Sequence, residues 1–61
     1  MDGWTLRSRR RKAGLTAAQV ARVTGTSESN IAAYERGAMA PGAFTLQRIL
    51  NAIEASSESP I

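Results

Sequence analysis

Sixty-one residues with a net charge of +3 and neither Cys nor His allow one small domain and exclude disulfides, structural zinc, haem ligation and a Ser-His-Asp triad. Hydrophobic residues make up 43% of the chain, but 11 of them are Ala, and only 13 larger apolar side chains remain once Met1 and Ile61 are set aside. A chain this short hides only about 60% of the surface that its unfolded form exposes, so the composition suits short helices packed through small residues and excludes an enzyme with a deep pocket.

The first helix is predicted from Gly3 or Trp4 to Ala13. It holds five of the eight basic residues, Arg7, Arg9, Arg10, Arg11 and Lys12. A patch of this density suits a polyanionic partner, and it equally suits a solvated helix face. Leu6, Arg10 and Ala13 share one face at i, i+4, i+7 spacing. An inward Arg10 needs a partner. Trp4 is expected to pack over the first and last helices. The run has too few large apolar residues for a lipid-facing stripe, and no apolar region follows it as in a signal peptide. A cytosolic protein is the default.

The second helix opens on a capping box, Thr16-Ala17-Ala18-Gln19. The Thr16 hydroxyl accepts from the Gln19 amide, and the Gln19 side chain reaches back. Leu15 and Val20 occupy the hydrophobic-staple positions. The helix continues through Ala21 and Val23 and stops at Gly25, where a positive φ reverses the chain.

The third helix opens at Ser27, with Asn30 at N3, and stops at Gly37. Ile31, Tyr34 and Glu35 form its inner face. Glu28, Ser29, Ala32, Ala33 and Arg36 form its outer face. The fourth runs from Ala43 to Ala55 after Pro41-Gly42, burying Phe44 or Leu46, then Ile49, Leu50 and Ile53. Residues 56–61 read as a flexible tail or the start of a linker. No strand pattern or internal repeat is present.

Two short helices joined through a Gly turn form a helix-turn-helix when they cross steeply. Ala21 is small where the backbones approach, and Val20, Ile31 and Tyr34 supply the shared contact. The run Arg10-Arg11-Lys12-Ala13-Gly14-Leu15-Thr16, then Gln19-Val20-Ala21, Gly25-Thr26-Ser27, Ile31, Tyr34-Glu35-Arg36-Gly37, Pro41, Thr45-Leu46 and Ile49, resembles the phage repressor/Cro-type (XRE) helix-turn-helix domain. The resemblance covers residues 6–54 without a gap. It implies an all-α, compact four-helix, lambda-repressor-like domain over residues 1–55.

The resemblance also implies binding to double-stranded DNA, commonly as a homodimer, by a bacterial or phage-encoded cytoplasmic protein at the nucleoid. The third helix would enter the major groove, with base edges read from Glu28, Ser29 and Ala33. Phosphates would be held around Thr16, Ala17, Ser27 and Asn30, with Arg9, Arg10 and Arg36 adding charge. Arg10 and Glu35 match a buried ion pair found in relatives, which supplies the partner that Arg10 needs. Glu28, Ser29 and Asn30 also read as capping and surface residues. Ala33 reads either as a helix former or as a methyl that meets a thymine methyl. Relatives often carry Gln at position 17 and a large aliphatic at position 24; here these are Ala17 and Thr24. The loop 38–43 has no Arg or Lys, and a Ser/Glu/Pro tail replaces the fifth helix of many relatives.

Three function classes follow. One is a sequence-specific repressor, autoregulator or antitoxin. Another is an interaction module that docks a protein partner such as a toxin. The third is the N-terminal domain of a longer protein with a catalytic domain after residue 61. No catalytic constellation is present, since the four carboxylates other than Glu35 show no pairing suited to acid/base work. No metal, cofactor or membrane partner is expected.

Overall fold

Four helices follow one another in the computed structural model, which describes residues 2–57. They are α1 (Gly3–Lys12), α2 (Ala17–Thr24), α3 (Glu28–Arg36) and α4 (Ala43–Ser57). No strand occurs among the described residues, so the fold is all-α.

Each of the first three helices has a side-chain cap at its start. The Asp2 carboxylate accepts from the Thr5 N–H at 2.8 Å and starts α1. That hydrogen bond holds the Asp2 carboxyl below its usual range. Thr16 and Gln19 close both halves of the capping box at the start of α2. The Ser27 hydroxyl accepts from the Asn30 N–H at 3.1 Å. The last turn of α1 carries Arg9, Arg10, Arg11 and Lys12. Part of the basic run therefore complements the negative end of the helix dipole.

Leu6, Val20, Ala21, Ile31, Ile49 and Ile53 form the buried core, one or two from each helix. Ala13, Leu15, Ala17, Tyr34, Leu46 and Leu50 pack against it. α2 lies against both α3 and α4, while α1 lies against α3 and, more lightly, α4. Gly25 takes φ 72° between α2 and α3, and the Thr26 N–H donates to the Ala21 carbonyl at 2.9 Å. This tight return is the turn of a helix-turn-helix. Thr24, the residue before Gly25, is buried. Its hydroxyl donates to the Val20 carbonyl at 2.8 Å, which satisfies the buried oxygen.

One aromatic placement differs from expectation, and one open alternative is resolved. Trp4 is 70% exposed and does not cover the first and last helices. Phe44 is 76% exposed, so Leu46 alone of that pair packs on the core. The reason is the same in both helices. Residues two apart lie roughly 200° apart round the axis, so Leu6 and Leu46 facing inward turn Trp4 and Phe44 outward. The fourth helix also continues to Ser57 instead of stopping at Ala55. The rest of the expected tail, 58–61, lies outside the described residues.

Candidate nucleic-acid interface

α3 presents its first turn outward. Glu28 and Ser29 are exposed, Asn30 and Ala33 are half-buried, and Arg36 is exposed at the far end. Ser29, Ala33 and Arg36 follow i, i+4, i+7 spacing and form one ridge. Ser27 caps the Asn30 N–H, which leaves the Glu28 and Ser29 N–H groups without a protein acceptor among the described residues. At the start of α2, the Thr16 N–H is taken by the Gln19 side chain at 2.8 Å. The donors left there are the N–H groups of Ala17 and Ala18. Such helix starts favour anions, because their unpaired N–H groups and dipoles point outward together.

Arg10 and Glu35 join α1 to α3. Arg10 Nε donates to Glu35 Oε2 at 2.6 Å, and Nη2 donates to Oε1 at 2.9 Å. The third donor used, Nη1, meets the Leu15 carbonyl at 2.8 Å. The Glu35 contact holds the Arg10 guanidinium above its usual range. Its charge is neutralised inside the protein, so Arg10 brings little net attraction to a phosphate. It acts first as a positioning residue.

A shallow hollow beside this pair is lined by Arg7, Arg10, Ala17, Ala32, Glu35 and Arg36. It brings the start of α2, the end of α3 and two exposed cations together. Arg9 is not among them. It lies on the other side of α1, beside Lys12, Ala13 and the Ile53–Glu54 turn of α4. Arg7 therefore borders the hollow beside the ion pair, and Arg9 does not. Arg7 stands three residues before Arg10, so helical spacing puts the two on adjoining faces. That spacing was the available signal.

A family model described as a helix-turn-helix domain matches residues 3–59, nearly the whole chain. No curated protein and no solved structure matches it.

Proposed function

We propose that this chain, which belongs to the helix-turn-helix domain family, binds double-stranded DNA sequence-specifically and regulates transcription as a repressor or autoregulator of the phage repressor/Cro type. In helix-turn-helix proteins the second helix of the motif lies in the major groove. Two observations carry the reading together: the exposed first turn of α3, and the basic hollow that joins the end of α3 to the start of α2. Glu28 and Ser29 point to solvent in that turn, and Arg7 and Arg36 flank the start of α2.

In this reading Glu28, Ser29 and Ala33 meet base edges. The Ala17 N–H, the Thr16 hydroxyl, Ser27, Asn30, Arg36 and Arg7 hold phosphates. The protein acts as a homodimer in the cytoplasm, and exposed Phe44 at the start of α4 supports contact with a second copy. An antitoxin would use the same DNA surface and add a toxin as partner. No helix among the described residues is long and apolar enough to cross a membrane. The function is binding, not catalysis.

Electrophoretic shift with the DNA upstream of the protein's own gene tests the proposal. We expect a shift whose affinity falls steeply with salt, with a log–log slope of roughly −3 to −5 per monomer from several phosphate contacts. A flat salt response contradicts DNA as the partner.

Glu28 tests the readout. An ionised carboxylate has no donor, so it accepts from cytosine N4 or adenine N6 and does not read guanine. Glu28→Gln is expected to change the preferred base at one position. It is also expected to raise non-specific affinity, because a like charge near the phosphates is gone. Unchanged preference and affinity in Glu28→Ala would place Glu28 outside the groove.

A further inference from the structure

The outer face of α1 carries a second constellation, which shares only Arg7 with the hollow beside α3. Trp4, Arg7, Ser8, Arg11 and Lys12 line one shallow hollow. They follow i, i+3, i+4, i+7, i+8 spacing and make a continuous stripe turned away from Leu6. The Arg7 guanidinium carbon lies 5.9 Å from the centre of the Trp4 ring. Trp4 is 70% exposed in a chain that has few large apolar side chains to spare for its core. No carboxylate lines the hollow. Its floor is the indole ring and the aliphatic stems of the basic residues, and its rim is three cations.

We propose that this stripe docks an acidic protein segment that carries an apolar side chain. Charge complementarity selects an anionic occupant, since three cations stand here with no acid between them. The exposed indole selects among anions. A phosphodiester backbone satisfies the cations and leaves the ring and stems in water. A segment with carboxylates around a leucine or phenylalanine satisfies the rim and covers the floor. Trp and Arg at the centre of a patch are also the side chains that most often anchor protein partners.

Trp4 is the only Trp in the chain, so its emission reports the site directly. The probe is a short synthetic peptide of glutamates around one leucine and one phenylalanine, titrated against the whole chain at low salt. The controls are the same peptide with every glutamate replaced by glutamine, and a duplex DNA oligonucleotide. We expect a saturable change in Trp4 emission with the acidic peptide, little with the glutamine peptide, and a smaller change with duplex DNA, which reaches Arg7 from the α3 side and leaves Arg11 and Lys12 aside. Arg11→Ala with Lys12→Ala keeps the reporter and lies off the α3 face. It is expected to weaken the peptide about tenfold, with circular dichroism unchanged. The proposal is overturned if the acidic peptide leaves Trp4 unmoved, if the glutamine peptide does as well, or if duplex DNA moves Trp4 as strongly.

Discussion

Replacing Glu35 by Ala is expected to leave the domain largely unfolded at about 37 °C. The Arg10 and Glu35 side chains are only 13% and 8% exposed, and each holds the other by two charge-assisted hydrogen bonds. Removing one partner of a buried pair costs about 3–5 kcal/mol, because the other charge stays buried and uncompensated. A domain of this size has only about 3–5 kcal/mol of stability in all. In Glu35→Ala the inward guanidinium keeps just the Leu15 carbonyl. Loss of DNA binding should follow as a consequence of unfolding. Arg10→Met with Glu35→Leu removes both charges and roughly keeps the volume, so it should recover much of the stability. It should recover binding less fully, because two guanidinium donors beside the basic hollow are lost.

The arginine side of the pair is expected to hold through neutral and mildly alkaline pH. A folded-state value raised above the unfolded one gives stability that is complete below the unfolded value and is lost only as pH rises past the arginine range. Thermal melts of the parent and the two variants test the pair. A Glu35→Ala variant that melts within about a degree or two of the parent contradicts the account, since a loss of only 1 kcal/mol moves a domain this small by about 4–8 °C.

Gly3→Ala is expected to be the next most damaging change. A Cβ on Gly3 would stand 2.5 Å from the Tyr34 carbonyl oxygen, closer still to that of Glu35, and 2.7 Å from the Glu35 carbonyl carbon. These are backbone atoms, so no side chain can turn aside. α1 must move off the last turn of α3. Overpacking of this kind typically costs about 1–3 kcal/mol. It also pulls on the Arg10–Glu35 pair, which spans the same two helices. Gly42→Ala is the matched control, because a Cβ there meets open space. We expect a clearly lowered melting temperature for Gly3→Ala and a nearly unchanged one for Gly42→Ala. Equal melts would show that α1 does not approach α3 this closely.

Local chemistry made much of the fold legible. Thr16 with Gln19, and Ser27, mark helix starts because their side chains bond to backbone groups three residues away. Gly25 and Gly37 mark helix ends for a similarly local reason. The Arg10–Glu35 contact crosses 25 residues, and no local rule finds it. What could be read was that Arg10 stood on an apolar face; its partner came from the family resemblance.

What local rules leave open depends on tertiary packing. Trp4 and Phe44 are large and apolar in a chain short of such side chains, which suggests the core. The helical phase set by Leu6, Leu46 and Ile49 turns both outward. Within the basic run, only the angle at which α1 meets α3 decides that Arg7 borders the hollow and Arg9 does not. Gly3 looks like a helix boundary in sequence. Its need for a missing side chain exists only where two backbones meet.

In the proposed function α3 carries the DNA-reading surface. Backbone amide shifts, followed as the labelled protein is titrated with the duplex from upstream of its own gene, test this most directly. We expect the largest changes at the start of α2, around Thr16 to Ala18, and along α3 from Glu28 to Ala33 and at Arg36. Changes confined to α4 or to the outer stripe of α1, with α3 unmoved, would contradict it.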